Sequence, residues 1–254
     1  MKVVFDDLFY SVYSSDPAAD PGRMESVVAA LPTHAEIVSP QPATEAQLSL
    51  AHAADHIQEI KREGVFEVAA LAAGGAVTAA RIGLAEPCFG LIRPPGHHTS
   101  AASAWGFCYF NNMAVALLTL HSEQRIQTAF VLDFDLHYGD GTDQILGGAD
   151  WVTILNPSKN KREEYLREVG DALARVEVDI IGVSAGFDNH REDWGGLLLT
   201  EDYFMMGKMV REAALACNAG CFGLLEGGYN HRVLGANVAA FMNGMEREMG
   251  DGDA

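Results

Sequence analysis

Basic residues are scarce in this sequence of 254 residues. Only 17 Lys and Arg stand against 35 Asp and Glu, so the formal net charge at pH 7 is −18. A surface of this charge repels a phosphate backbone, and we therefore expect no direct nucleic-acid partner. The same charge attracts cationic ligands, but salt screens that attraction, and solubility alone is the simpler explanation.

Long apolar runs without charge are also missing. A membrane span needs roughly 18 apolar residues. The nearest candidate, residues 65–84, is interrupted by Glu67 and Arg81. The N-terminal segment contains Asp6 and Asp7 and does not resemble a secretory signal. The sequence thus predicts a cytoplasmic protein without membrane contact.

The four cysteines are too few and too scattered for a disulfide framework. Cys88 and Cys108 lie in apolar surroundings, which is typical of small core residues. Cys217 and Cys221 have a C-x3-C spacing, which fits neither a zinc ribbon nor a thioredoxin-type motif. We expect all four to be structural.

The sequence does contain a regular alternation of short apolar runs with longer amphipathic stretches. Several runs are apolar throughout, as expected for strands buried on both faces of a parallel sheet. The predicted strands are Lys2–Phe5, Ala35–Val38, Cys88–Ile92, Thr128–Leu132, Val152–Leu155, Asp179–Ser184 and Cys221–Leu225. The alternation predicts βαβ units in one α/β domain with a central, mostly parallel sheet.

The amphipathic stretches between these strands are predicted to be helices. They are Gly22–Leu31, Thr44–Glu63, Val65–Leu84, Asn111–His121, Arg162–Val176, Glu201–Cys217 and Leu234–Met249. Thr44 with Gln47 resembles a capping box, and Thr200 with Tyr203 stands at another helix start. No linker, repeat or low-complexity segment divides the chain, so a single domain over residues 1–254 is the simplest interpretation.

Polar residues follow four of the predicted strands, at the point where each strand ends. The four segments are Arg93–His98, Asp133–Asp140, Ala185–His190 and Glu226–Tyr229. In open α/β sheets, ligands bind beyond the carboxyl ends of the strands. We therefore expect these His, Asp and Tyr side chains to meet in one crevice.

Asp135, His137 and Asp188 form a candidate metal site. Residues two apart in an extended chain share a face, so Asp135 and His137 project together. With Asp188 from another strand end, they supply two carboxylates and one imidazole. Three protein ligands suit a catalytic Zn²⁺, with Fe²⁺ as the competitor, because oxygen-rich ligation weakens the preference for zinc.

The tandem His97-His98 is a candidate acid–base pair. Beside a metal, an imidazole can take a proton from water and return it to a leaving amine. Asp133 and Asp140 are carboxylates in the same crevice that can fix the two histidine tautomers. Tyr229 can donate its hydroxyl to an oxyanion. Together these residues predict metal-assisted hydrolysis of a carbonyl compound.

Six segments resemble the histone deacetylase superfamily, which includes acetylpolyamine amidohydrolases and acetoin-utilisation-type proteins. They are RPPGHHT (93–99), GFCYFNNMAVA (106–116), VLDFDLHYGDGT (131–142), VSAGFDNHRED (183–193), GGLLLT (195–200) and LLEGGYN (224–230). Weaker matches lie at 16–23 and 43–57. The segments follow the family's order over nearly the whole chain.

The resemblance implies a three-layer arginase/deacetylase-like fold with residues 1–254 as one catalytic domain. By position, the chain matches the family's metal ligands (Asp135, His137, Asp188), tandem catalytic histidines (His97, His98), their carboxylate partners (Asp133, Asp140), transition-state tyrosine (Tyr229) and acyl-lysine channel wall (Gly106, Phe107, Gly228). The second histidine is usually favoured as the general base in this family. The resemblance also implies Zn²⁺, with Fe²⁺ possible, and a structural K⁺ near Asp133–His137.

The implied activity is removal of an acetyl or other acyl group from an amine, either a small molecule such as an acylpolyamine or an acyl-lysine peptide. One departure concerns the channel. Only 53 positions separate Asp135 from Asp188, and family members normally carry several tens of residues more, including a Gly-rich loop. Leu155 stands where the family often has a Ser near the cation site. Without this wall, a wider mouth could admit a bulky acyl or amine group. A second subunit of a homo-oligomer could instead fill the gap.

Two alternatives stay open on the sequence alone. An arginase-like ureohydrolase with two Mn²⁺ would need a D-x-D arrangement at Asp188, whereas His190 stands there and favours a mononuclear site. A catalytically silent binding protein could have kept the fold; the shortened channel favours it, and the complete set of ligands argues against it.

Overall fold

The structure is a computed structural model and describes residues 1–246. A seven-stranded sheet in the order β2-β1-β3-β7-β6-β4-β5 runs through the centre, and every neighbouring pair is parallel. The strands are β1 (Lys2–Val4), β2 (Glu36–Val38), β3 (Cys88–Gly90), β4 (Ala129–Asp133), β5 (Val152–Leu155), β6 (Ile180–Ala185) and β7 (Gly220–Leu225). All seven predicted strands, and the α/β class with a parallel sheet, are confirmed.

Helices lie between the strands along the chain, and one more follows the last strand. They are α1 (Arg23–Val28), α2 (Glu45–Ala51), α3 (Ala54–Glu63), α4 (Phe66–Gly83), α5 (Asn112–Ser122), α6 (Asp140–Leu146), α7 (Arg162–Leu173), α8 (Thr200–Cys217) and α9 (His231–Glu246). Two short 3₁₀ turns, Asp7–Tyr10 and Pro17–Ala19, lie between β1 and α1.

Three helical predictions need correction. The predicted helix 44–63 is two helices, because His52 and Ala53 are extended and separate α2 from α3. The predicted helix 234–249 begins earlier, at His231, and its last three residues lie outside the described range. The short helix α6 was not predicted, since its seven residues show no clear apolar period.

The two predicted helix starts behave differently. Thr44 and Gln47 form the expected reciprocal capping box of α2. At α8, by contrast, the Leu199 N–H is capped by the Asp202 carboxylate at 2.8 Å. Thr200 instead donates its hydroxyl to Asn237 of α9, at 2.7 Å. The threonine at this helix start therefore ties two helices together and does not cap its own.

The inner strands of the sheet are its most buried part. The strands β3, β4 and β6 are buried along their whole length, as continuous apolar strands between two layers should be. The helix α4 is long and apolar enough to cross a membrane by composition, but 72% of that window is buried inside this molecule. This combination is typical of a core helix.

His52 joins the end of α2 to the loop that follows β3. Its Nδ1 donates to the Ser100 carbonyl (3.0 Å), and its Nε2 accepts the Asn111 N–H (3.0 Å), so the ring is held neutral. Burial, reinforced by the neighbouring His56, lowers the pKa of His52 to about 4. A second proton would break the bond to Asn111.

This neutral histidine predicts a loss of stability in mild acid. The unfolded chain binds a proton at His52 near pH 6.5, whereas the folded chain does so only near pH 4, so the stability is full above pH 6.5 and declines as the pH falls. Between pH 7.5 and 5, His52 should account for about 2 kcal/mol. Urea unfolding of the wild type and His52→Gln at both pH values measures it; an equal pH dependence in the two proteins would contradict it.

Candidate active site

The carboxyl ends of β4 and β6 bring Asp135, His137 and Asp188 together. Their candidate ligand atoms all lie within 4.8 Å of one another. His137 Nδ1 is 3.1 Å from Asp135 Oδ1 and 3.0 Å from Asp188 Oδ2. Ligand atoms around a tetrahedral zinc ion are separated by about 3.3 Å. The three donors therefore already stand close to the spacing that a small divalent cation requires.

Two further observations show that these residues fit a cation. Asp188 is fully buried, and among the described residues its Oδ2 has no well-directed hydrogen bond, although His137 Nδ1 lies 3.0 Å away. A buried carboxylate oxygen without a well-directed hydrogen bond carries a large desolvation cost, which a bound cation removes. The Asp135 and Asp188 carboxylates beside His137 also raise its pKa to about 10, so positive charge is favoured at this point.

The route by which Asp135 meets His137 differs from the prediction. The strand β4 ends at Asp133, and Asp135 and His137 lie in a bend rather than on one face of an extended chain. The His137 N–H donates to Asp135 Oδ1 at 2.9 Å, which folds the segment back on itself. A local turn thus replaces strand alternation as the cause of their proximity.

A glycine makes room for both carboxylates. A Cβ atom on Gly227 would stand 2.5 Å from Asp135 Oδ2 and 2.8 Å from Asp188 Oδ2. Because there is no such atom, the Gly227 N–H can approach and donate to Asp135 Oδ2 at 2.8 Å. The end of β7 therefore packs directly against the candidate metal ligands.

His97 pairs with Asp133 in the interior of the crevice. The distance from His97 Nδ1 to Asp133 Oδ2 is 3.1 Å, and both side chains are almost fully buried. Burial opposes a charge on His97, but the Asp133 and Asp135 carboxylates outweigh it and raise the pKa of His97 well above its usual value.

His98 pairs with Asp140 nearer the surface. His98 Nδ1 lies 2.7 Å from Asp140 Oδ1, and Asp140 is the first residue of α6. Burial, and next the charge on the adjacent His97, lower the pKa of His98 to about 4. The two adjacent imidazoles, with ring centroids 4.0 Å apart, thus have opposite preferences: His97 favours the charged form and His98 the neutral form.

Tyr229 lies on the loop after β7, and the loop is held firmly. Asp193 Oδ2 accepts the N–H groups of Tyr229 and Asn230, at 2.8 and 2.7 Å. The Trp194 ring stacks on Tyr229 with centroids 4.1 Å apart. Burial, followed by the charges of Asp135 and Asp188, raises the pKa of the Tyr229 hydroxyl, so it remains a proton donor.

The three predicted channel residues border the same crevice. Gly106 has a φ of +60°, and a Cβ there would stand 2.3 Å from His98 Cδ2. Phe107 has a φ of +68° and meets the Tyr229 ring edge-on at 6.0 Å. Gly228 has a φ of +117°, which favours glycine. The structure therefore brings every predicted site residue to one edge of the sheet.

Sequence reasoning missed two buried charged residues. Glu226 accepts the N–H groups of Gly96 and His97, at 2.7 and 3.3 Å, and burial raises its pKa to about 7. Arg23 donates to the carbonyls of Gly228 and Glu226, at 2.8 and 2.5 Å. Glu226 stands directly before the Gly-Gly-Tyr segment, and this position could have indicated a role in the site. Arg23 is remote in sequence from the site residues, and no pattern around it indicates such a role.

Two aromatic residues were also missed. Trp105 stacks on His98 with ring centroids 3.8 Å apart, and Trp194 lies over Tyr229. Both indoles are 54% exposed, as is typical of residues at the mouth of a site. The rings of His98, His137 and Trp194 are neighbours in turn, with centroids 5.9 and 6.0 Å apart.

His190 does not extend the candidate metal site. Its Nδ1 accepts the Glu192 N–H at 3.2 Å, and its ring faces Tyr203. Within residues 1–246, the group around Asp188 contains only Asp135 and His137 as further candidate ligands. This geometry favours one metal ion over the arginase-like pair.

A sequence model of the family described as "Histone deacetylase domain" matches residues 18–165 and 156–245. The chain belongs to the histone deacetylase family. The match is in two parts that overlap at residues 156–165, from the end of β5 into the start of α7. This stretch lies between Asp135 and Asp188, where the sequence predicts that a segment of the family is missing.

Individual proteins agree with this membership. A "Probable deacetylase" from Methanothermobacter thermautotrophicus is 33% identical over 72% of this chain and 66% of its own length. A "Histone deacetylase-like amidohydrolase" from Pseudomonas aeruginosa is 28% identical over 82% of this chain and 70% of its own. A "Histone deacetylase 10, chloroplastic" from Oryza sativa subsp. japonica is 30% identical, but the match covers only 49% of it. The chain thus spans about half to two thirds of several curated relatives.

The fold has a close counterpart among solved structures. The "HDA15 HD domain" superposes with a TM-score of 0.82 and covers 95% of this chain and 86% of its own. The sequence identity is 24%, so the similarity concerns the fold. It agrees with the central parallel sheet and flanking helices described above.

Proposed function

We propose that this protein is a zinc-dependent amidohydrolase that removes an acetyl or other acyl group from an amine. The supporting observation is the convergence at one sheet edge of three candidate metal ligands, two His–Asp pairs and Tyr229. The two His–Asp pairs have N–O distances of 3.1 and 2.7 Å, and the candidate ligand atoms lie within 4.8 Å of one another. The named deacetylases and amidohydrolases among the relatives support the same reaction class.

Asp135, His137 and Asp188 would hold the divalent cation, with Zn²⁺ favoured and Fe²⁺ as the alternative. When bound, the cation supplies Lewis-acid polarisation of the amide carbonyl and of an attacking water. The buried Asp188 Oδ2, which lacks a well-directed hydrogen bond, and its 3.0 Å distance to His137 Nδ1 support this assignment. The K⁺ implied near Asp133–His137 stays a prediction.

His98 is the proposed general base. Asp140 accepts from His98 Nδ1, which leaves Nε2 with the lone pair that takes a proton from water. The same nitrogen then returns the proton to the leaving amine. His97, charged beside Asp133, would stabilise negative charge as it forms. The Tyr229 hydroxyl would donate to the oxyanion on the former carbonyl oxygen.

The proposed substrate is an acylated amine, and the site has room for a bulky group on it. No long loop stands between β5 and α7 in the described chain, since α7 begins seven residues after Leu155. Tyr138 at this side of the site is 56% exposed. A nearby cavity of about 490 Å³ borders Trp105 and is lined by Asp16, Glu59 and Glu63. Because these carboxylates attract positive charge, the test set should include substrates that carry a second, cationic amine.

A substrate panel tests the proposal. The zinc-loaded protein would be given acetyl-lysine peptides, longer acyl-lysine peptides, acetylated polyamines and a simple anilide, each with and without a chelator. The expected result is chelator-sensitive release of the acyl group from at least one amide. Full turnover in the presence of the chelator would contradict the metal-dependent mechanism. No turnover by protein with bound metal would favour the catalytically silent binding protein.

A further inference from the structure

Trp105 connects the two members of the outer His–Asp pair. Its Nε1–H donates to Asp140 Oδ2 at 2.9 Å, while Asp140 Oδ1 accepts from His98 Nδ1 at 2.7 Å. Its ring also stacks on the His98 ring, at 3.8 Å and an interplanar angle of 29°. Three contacts therefore close a triangle of Trp105, Asp140 and His98.

The two His–Asp pairs differ in what they need from their surroundings. In the inner pair, Asp133 is fully enclosed, and His97 is only 4% exposed. In the outer pair, the Asp140 side chain is 46% exposed. Water competes for an exposed carboxylate, and such a side chain is free to rotate unless both oxygens are held. The Trp105 indole N–H donates to Asp140 Oδ2, the oxygen that His98 does not contact.

The indole also protects His98. Although its partner Asp140 is exposed, the His98 side chain is only 3% exposed. The Trp105 ring, itself 54% exposed, covers one face of the imidazole. Without this cover, His98 would border solvent at the mouth of the crevice, and its ring could turn.

We propose that Trp105 is a positioning residue for the general base, an inference that rests on the proposed amidohydrolase function. Its N–H fixes the Asp140 carboxylate, and its ring fixes the plane of His98. Together they hold His98 in the tautomer with the proton on Nδ1 and the lone pair on Nε2. Trp105 acts through His98 and Asp140 and takes no part in bond making.

Trp105→Phe separates the two contributions, because it keeps a stacking ring and removes the N–H. We expect kcat on the best amide of the panel to fall about 10-fold, the loss of one hydrogen bond to a charged group, with KM changed less than about twofold. Trp105→Ala should lower kcat further, since the His98 ring also loses the indole that covers it. Trp151→Phe is the matched control; that indole stacks on His121, which has no role in the proposed reaction.

A double-mutant cycle isolates the coupling to the carboxylate. Asp140→Ala removes both acceptors, so adding Trp105→Phe to it should change kcat by less than about twofold. In the same proteins, the indole ¹⁵N–¹H resonances of the three tryptophans report the contact without turnover. Trp105→Phe identifies one resonance, and Asp140→Ala should shift that resonance alone.

The outcomes are distinguishable. A Trp105→Phe protein with wild-type kcat, or effects of the two substitutions that simply add, would overturn the role of Trp105 in an active enzyme. A Trp105 resonance unmoved by Asp140→Ala would overturn the hydrogen bond. A wild type that is inactive on the whole panel would overturn the proposed function instead, and with it the catalytic role of Trp105.

Discussion

Asp188→Ala is expected to abolish tight binding of Zn²⁺ and, with it, amide hydrolysis. Asp188 is fully buried, and its Oδ2, which lacks a well-directed hydrogen bond, lies 3.0 Å from His137 Nδ1. Loss of one of three protein ligands should weaken the metal affinity by more than the 10- to 100-fold typical of changes to residues that only support a ligand. Hydrolysis should fall by about 10³-fold or more, because several kcal/mol of transition-state stabilisation depend on the cation.

Metal content after dialysis and kcat/KM on the best amide measure this result. Asp188→Asn is the informative companion, since it keeps the shape of the side chain and removes its charge. Asp171→Ala on the exposed face of α7 is the matched control, as that carboxylate lies outside the candidate site. Full zinc occupancy in Asp188→Ala would show that the ligand assignment is wrong.

Tyr229→Phe should lower turnover strongly while the metal content stays at the wild-type value. The substitution removes only the hydroxyl, and Trp194 and Phe107 can still pack on the ring. Removal of one oxyanion donor typically lowers kcat by about 10²- to 10³-fold. KM should change little, because the donated hydrogen bond strengthens only as charge develops on the carbonyl oxygen.

Steady-state kinetics and metal analysis on the same preparation check this prediction. Tyr138→Phe is a matched control, because Tyr138 is near the site but is exposed and is assigned no role in the reaction. Equal kcat in Tyr229→Phe and the wild type would remove the Tyr229 hydroxyl from the mechanism. A loss of metal in the variant would mean that Tyr229 stabilises the site and not the oxyanion.

The strands were predictable because their apolar runs are short and bounded by polar residues. Each of the runs β3, β4 and β6 is buried on both faces, so its composition carries the signal directly. Helix boundaries were less predictable. The extended residues His52 and Ala53 split a predicted helix, and tertiary bonds from His52 to Ser100 and Asn111 hold that break.

The site residues came together because parallel strands place their carboxyl ends at one edge of the sheet. The local geometry was less accessible from sequence. Asp135 and His137 meet through a turn closed by a hydrogen bond from the His137 N–H to the Asp135 carboxylate, which the alternation rule for strands does not describe. The roles assigned to His97, His98 and Tyr229 stay predictions until the kinetic tests are made.

Residues that support the site escaped the sequence analysis. Arg23 and Trp105 lie outside the polar segments that follow the strands, and each reaches the site through a contact between distant parts of the chain. Glu226 was within such a segment, but burial of a lone carboxylate behind His97 depends on the packing of β3 against β7. Periodicity and motif spacing carry no information of this kind.

The most direct test of the account is a zinc titration of metal-free protein with amide hydrolysis as the readout. Asp135, His137 and Asp188 are the proposed ligands of one ion, so activity should rise linearly and reach its plateau at one Zn²⁺ per chain. Bound zinc and activity should then be lost together in Asp188→Ala. Binding of one Zn²⁺ without hydrolysis of any amide, or hydrolysis by the metal-free protein, would contradict the account.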